Sequence, residues 1–249
     1  MQIQLIRNAT MRFEYSGRKF ITDPYLAAKH SRPSFTGKSP NPLVDLPCSP
    51  REAIAGMDLA VISHLHSDHF DPLAQELLPK DTVMICQPED AEAIKKMGFK
   101  EVLPVHDRME WRGIEIIRTA GQHGSGEVLG DMGTVSGFVF RAQGEPTVYW
   151  TGDTIRYEAV TKVIKEFKPD LILTHSCGAV WGKQVLIVMD AAQTVAVCRT
   201  APQSKVVAIH MEALDHGTIT RAVLRQYVGE QGIGPDRLLI PVDGETMLF

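Results

Sequence analysis

Residues 63–72 read SHLHSDHFDP and follow directly on the apolar run of residues 59–62, LAVI. Three histidines and one aspartate fall within the six positions 64–69. DLAVIS (58–63) reads as a buried strand, and alternate side chains on a strand point to the same side. His64 and His66 therefore converge on one point. Asp68 and His69 come just after, where the chain must turn, and can address a second point nearby. Imidazole and carboxylate are the natural ligands of zinc and similar divalent ions. By composition alone, H-x-H-x-D-H recurs roughly once in a thousand shuffled chains, which favours a metal cradle over a polar surface turn.

Four ligands cannot fill two catalytic coordination spheres, so others must come from elsewhere. TAGQHGSG (119–126) sets His123 in a glycine-rich loop after a strand; YWTGDT (149–154) sets Asp153 at the end of an aromatic strand; VVAIHME (206–212) sets His210 at the end of an apolar one. Strand ends are where loops gather catalytic groups. Singly each signal is weak; beside the cluster they form a set.

The remaining chain indicates a mixed α/β protein. QIQLIR, MRFEY and KFITD read as an antiparallel meander. Residues 30–50 carry five prolines and form, with their flank from about residue 27, a loop too long for a plain connector. SPREAIAG (49–56) has the Ser49–Glu52 pattern of a capping box. PLAQELLPK, PEDAEAIKKMG (closed by Gly98), RYEAVTKVIKEFK, DAAQTVAVCRT and TRAVLRQYVGE read as helices. TVMICQ, IEIIRTA, SGFVFRA, TVYWTGD, DLILTH and KVVAIH read as strands between them, with RLLIPVDG and TMLF as a final pair. Helices covering sheets in one domain of residues 1–249 is the expectation.

Composition narrows the function. Of 249 residues 44% are hydrophobic, and the net charge is −4, so there is no basic excess to suggest nucleic-acid binding. None of the four cysteines forms a C-x-x-C pair, which leaves no zinc ribbon or dithiol redox motif. The opening MQIQLIRNATMRFEY shows neither an apolar signal region nor a cleavage site, and no stretch is long and apolar enough to span a bilayer. A reducing, cytoplasmic setting is expected, without a membrane partner.

The order HLHSDH, GQHGSG, TGDT and IH resembles the metallo-β-lactamase fold superfamily. The segment FITDPYL (20–26) is similar to its cytosolic branch, which includes ascorbate-6-phosphate lactonase-like proteins. The resemblance spans nearly the whole chain; its central motif is specific for the superfamily and poorly specific for substrate. It implies an αββα sandwich of two mixed β-sheets flanked by helices, with two metals at one edge. His64, His66 and His123 would hold the first ion, Asp68, His69 and His210 the second, and Asp153 would bridge them. No cysteine occupies these positions, which argues against antibiotic hydrolysis and points to zinc first, manganese or iron next. Asp23 would lie behind a ligating histidine.

Paired cations lower the pKa of a shared water to about 7, so that hydroxide attacks a carbonyl or phosphoryl centre. Asp68 is placed both to ligate and to accept a proton, and is the catalytic candidate. A small ester or lactone is the expected substrate class. The alternatives are a phosphodiesterase or nuclease on the same fold, an oxygen-reducing diiron protein and a non-enzymatic metal module. The diiron branch carries a carboxylate where this chain has His66. His175, at the end of LILTH, is a candidate for the pocket or for support of a ligand. Asp190 is expected to cap a helix, with a pocket role open. Asp215 and His216 either line the pocket or cap the next helix, the cap being preferred. Trp181, between glycines, is a candidate pocket wall or packing residue. Homo-oligomerisation is left open.

Overall fold

The computed structural model describes residues 1–249. Strands β1 (Gln2–Arg7), β2 (Thr10–Tyr15) and β3 (Arg18–Thr22) form the expected antiparallel meander. Three parallel strands extend it: β4 (Leu59–Ile62), β5 (Val83–Cys86) and β6 (Glu101–Pro104). The second sheet begins with the antiparallel strands β7 (Arg108–Trp111), β8 (Ile114–Ala120) and β9 (Ser136–Arg141). It continues through β10 (Val148–Trp150) and β11 (Leu171–His175). Strands β12 (Val180–Trp181) and β13 (Val185–Leu186) form a separate ribbon in what the sequence suggested was only a glycine-flanked loop. β14 (Lys205–Ile209) and β15 (Leu238–Leu239) complete the second sheet.

The last strand, β16 (Thr246–Leu248), returns to pair with β1. β15 and β16 are therefore not the mutual pair expected from their adjacency; each closes the edge of a different sheet. Local pattern identifies such short strands without naming their partners.

Side-chain alternation divides the core into three layers. In β10, Val148 and Trp150 face the first sheet while Tyr149 faces the helices; β11 and β14 repeat the pattern with Leu171/Leu173 and Val207/Ile209 inward. Phe13, Phe20 and Phe140 fill the space between sheets, with Phe13 and Phe20 stacked at 4.5 Å. Outside the first sheet, Ala60, Ile62 and Met84 meet α1 (Pro50–Ile54), α2 (Pro72–Leu77) and α3 (Ala91–Lys96). Outside the second sheet pack α5 (Glu158–Phe167), α6 (Ala191–Thr200) and α7 (Arg221–Glu230), the short α4 (Val128–Met132) lying near the loops. The result is the four-layered αββα arrangement expected from the sequence.

Helix starts follow local chemistry. Ser49 and Glu52 form the reciprocal capping box on α1. Asp190 accepts from the Gln193 amide and caps α6. The box there is incomplete, because Gln193 Oε1 is taken by the Arg156 amide. Asp215 does not cap α7; Thr220 does.

Candidate metal centre

β8, β10, β11 and β14 run in one direction and end at one edge of the second sheet, opposite the end of β4. This brings His123, Asp153, His175 and His210 to the 64–69 turn. Two donor groups result, His64/His66/His123 and Asp68/His69/Asp153/His210, each with donor atoms within 4.8 Å of one another. Asp153 faces both: Oδ2 lies 3.2 Å from His69 Nε2 and 3.4 Å from His123 Nε2, and Oδ1 lies 3.6 Å from His210 Nε2. Asp68 Oδ2 lies 3.3 Å from His69 Nε2 and 3.4 Å from His210 Nε2. His66 is half-buried and opens to the cavity, while the others are buried.

Hydrogen bonds behind the ligand atoms fix which nitrogen faces the cluster. His64 Nδ1 donates to Ser63 Oγ at 2.9 Å, whose hydroxyl donates to Asp23 Oδ2 at 2.6 Å. His69 Nδ1 donates to the same oxygen at 2.6 Å. With the Ser63 amide on Oδ1 at 2.7 Å, Asp23 accepts three hydrogen bonds. A third grouping of Asp23, His64 and His69 is accordingly an orienting network. His123 Nδ1 donates to the Ile187 carbonyl at 2.9 Å, and His210 Nδ1 faces Cys177 Sγ at 3.4 Å. His175 uses both nitrogens: Nε2 accepts from Trp150 Nε1 at 2.9 Å, and Nδ1 donates to Asp153 Oδ1.

The residues fit a divalent cation. His64 Nε2 is buried without a hydrogen-bond partner, an arrangement that costs free energy unless something accepts its lone pair. His69 Nε2 and His210 Nε2 approach to 3.3 Å between carboxylates. Burial pushes the Asp153 and Asp68 carboxyls up, but the surrounding imidazoles outweigh it and hold both well below the usual range. Burial pulls His69 and His210 down, yet the carboxylates, Asp153 foremost, carry both well above the usual value. Burial, and then His69 and His66, drives His64 well below it. Carboxylates and imidazoles set this close together are the donor pattern that a divalent cation satisfies.

Two features hold the turn in place. Asn8, at φ 59, lies in the left-handed region that asparagine tolerates. Its amide donates to the Asp68 carbonyl at 2.9 Å, and its own carbonyl accepts from the His210 amide at 2.9 Å. Gly152 has φ 64, and a Cβ there would meet the Ser136 carbonyl at 2.3 Å. TGD is thus the backbone geometry that aims Asp153. Nothing in composition or periodicity singled out Asn8.

A cavity of about 200 Å³ opens over the cluster. Phe35, Met132, Trp181 and Ile187 form its apolar walls; His66, Asp68, His123, Asp153 and His216 reach it from the cluster side. Phe35 comes from the proline-rich loop and meets His216 edge-on at 4.9 Å. The loop is fastened there by Asp215, which accepts from the Phe35 amide at 3.0 Å, Asn41 Nδ2 at 3.0 Å and the hydroxyls of Ser34 and Thr36. Burial raises that carboxyl, but these donors dominate and hold it below its ordinary value. The expectation of a cap at Asp215 is corrected: the carboxylate clamps the loop, and His216 lines the cavity. Asp190 does not line the cavity. His30 is exposed on the loop, its amide bound to the Pro42 carbonyl at 2.9 Å. Phe35 was not distinguished in the sequence, where one aromatic among prolines carries no signal.

Residues 18–211 match the model of the β-lactamase superfamily domain. Over 255 aligned residues the chain is 36% identical to the UPF0173 protein YddR of Bacillus subtilis (strain 168), covering 100% of both. The chain belongs to the UPF0173 metal-dependent hydrolase family. Among solved structures, it is similar to isothiocyanate hydrolase from Delia radicum gut bacteria, with 38% identity, a TM-score of 0.93 and coverage of 100% of this chain and 99% of that one. It is also similar to a protein of Veillonella parvula DSM 2008 described as a "possible metal-dependent hydrolase", with 31% identity, a TM-score of 0.96 and the same coverage. UPF0173 membership makes the protein a metal-dependent hydrolase with a His/Asp cluster for divalent cations. No helix is long and apolar enough to cross a membrane.

Proposed function

We propose that this UPF0173 chain hydrolyses a small molecule at an uncharged electrophilic carbon, using two divalent cations. His64, His66 and His123 hold one ion; Asp68, His69 and His210 hold the other; Asp153 lies between them. The observation that carries this reading is the convergence of seven donor side chains, with the second ring nitrogens of His64, His69, His123 and His210 engaged elsewhere and His64 Nε2 left unpartnered. A mixed imidazole and carboxylate set without thiolate favours zinc, then manganese or iron. Bound divalent ions would supply hydroxide near neutral pH and Lewis-acid polarisation of the substrate.

The chain's own groups do the rest. Asp23, Ser63 and the Ile187 carbonyl keep three imidazoles in the tautomer that presents Nε2. His175 restrains Asp153. Asp68 reaches both the cavity and the cluster, which suits it to accept a proton. Phe35, Trp181, Met132 and Ile187 shed water from the substrate's apolar part.

No Lys or Arg lines the cavity, and its one acid outside the donor cluster is Asp131. The bound cations would then be the only positive charge beside the reacting group, so nothing in the chain itself selects a phosphodiester over a neutral head. An isothiocyanate has a neutral electrophilic carbon, and a relative that hydrolyses one is 38% identical over the whole chain. Isothiocyanates are therefore the first substrate class, with small esters and lactones second. The test is a panel of isothiocyanates, lactones, esters, phosphodiesters and β-lactams under zinc, manganese and iron. Turnover restricted to phosphodiesters would overturn the proposal, and an oxygen-consuming reaction with iron would replace hydrolysis by oxidation.

A further inference from the structure

Behind the aromatic wall lies a second cavity, of about 260 Å³. Phe35, Trp181 and His216 line both cavities. They come from three separate segments: the proline-rich loop, the β12–β13 ribbon and the loop after β14. Phe35 lies edge-on to both partners, 4.9 Å from His216 and 6.5 Å from Trp181. The partition is held from both sides, since Asp215 accepts from the Phe35 amide and Asp131 Oδ2 accepts from Trp181 Nε1 at 3.2 Å.

The two chambers differ in chemistry. Outside its donor cluster, the inner one carries a single charged side chain, Asp131, already engaged by Trp181. The outer one carries a single charged side chain, Lys38, beside Gln184. Its two hydroxyls are spent: Thr36 donates to Asp215, and Thr218 to the Gly178 carbonyl at 2.7 Å. What remains to meet a ligand is the Lys38 ammonium, the Gln184 amide and the His216 imidazole, whose Nδ1 has no hydrogen-bond partner. A carboxylate is the group that such donors recognise, and three rings between the chambers suit an apolar stem.

We propose that the substrate has two parts. An uncharged reactive head lies at the donor cluster, an apolar stem runs among Phe35, Trp181 and His216, and an anionic end, such as a carboxylate, reaches Lys38. This rests on the hydrolase reading above and extends it to specificity. Lys38 is then a specificity residue acting about one stem length from the reacting carbon. Lys38 is exposed, so substituting it leaves the core and donor cluster intact.

The experiment uses the metal-loaded full chain and linear alkyl isothiocyanates of increasing length, each ending in either methyl or carboxylate. In the wild type, the carboxylate series gains about fivefold in kcat/KM over the methyl series once the stem is long enough, the gain falling in KM; exposed ion pairs have about this strength. K38E removes the gain of the carboxylate series over the methyl series, whereas F35A lowers kcat/KM for long stems of both series. Equal treatment of the two ends, or a carboxylate preference that survives in K38E, overturns the proposal while leaving the hydrolase reading intact. Calorimetric binding of the matching amines, which need no turnover, separates the two failures. If no isothiocyanate is cleaved but carboxylate-ended amines bind more tightly to wild type than to K38E, the isothiocyanate reading falls and the two-chamber site stands. Equal binding overturns the two-chamber site.

Discussion

His175 donates from Nδ1 to Oδ1 of Asp153, the carboxylate that faces both donor groups. Its other nitrogen accepts from the Trp150 indole, so tautomer and ring angle are both set. Burial pushes the His175 imidazole down to about 4, which keeps it neutral at physiological pH and gives Nδ1 the only proton. Groups that orient a metal ligand in this way are worth about 10- to 100-fold in metal affinity or activity. His175→Ala is expected to lose that much in titrated metal affinity. Trp150→Phe, which keeps most of the packing, should lose less, about tenfold. Unchanged metal affinity in both variants would remove His175 from the machinery.

Gly152→Ala tests the backbone side of the same residue. Its φ of 64 and the 2.3 Å approach to the Ser136 carbonyl leave a Cβ no room without moving the 136–137 or 151–153 backbone. The variant should lose about 2 kcal/mol or more in chemical denaturation and bind metal poorly. Wild-type values of both would show that the TGD turn has slack.

A pH effect is expected outside the donor cluster. Burial raises the Asp90 carboxyl to about 6, against weaker lowering by Gln87 Nε2 at 2.9 Å. A carboxyl with a raised folded pKa is favoured protonated, so the fold loses stability as pH rises from about 4 to about 6 and stays penalised above. Asp90→Asn keeps an acceptor for Gln87 and removes the penalty. It should be more stable than wild type by about 1–2 kcal/mol at pH 7.5 and equal at pH 3.5. A variant no more stable than wild type at pH 7.5 would contradict the burial cost.

Asp215→Ala should release the proline-rich loop, because five donors lose their acceptor. Charge-assisted bonds of this kind contribute about 2 kcal/mol. The expected phenotype is faster proteolysis within residues 33–42 and a higher KM, with metal content unchanged. Protection equal to wild type would show that other contacts hold the loop.

The sequence made parts of this legible for physical reasons. HLHSDH announces itself because dense ligands at a strand end have few other uses, and the strand–helix alternation from β10 to β15 reflects cores that repeat locally. Partner choice did not show: β15 and β16 each have three residues or fewer, and such strands carry no address. Phe35, Asn8 and Cys177 went unnoticed because each matters through a neighbour more than 30 residues away. Asp215 was assigned to a cap because it precedes a helix, yet its partners lie about 175–180 residues earlier in the chain.

The most direct test is metal stoichiometry by elemental analysis, on wild type and Asp153→Ala, with turnover before and after chelation. A dinuclear hydrolase predicts about two ions per wild-type chain, a large loss in Asp153→Ala, and activity that chelation abolishes and added zinc or manganese restores. Full turnover by thoroughly chelated protein, or unchanged metal content and activity in Asp153→Ala, would contradict it.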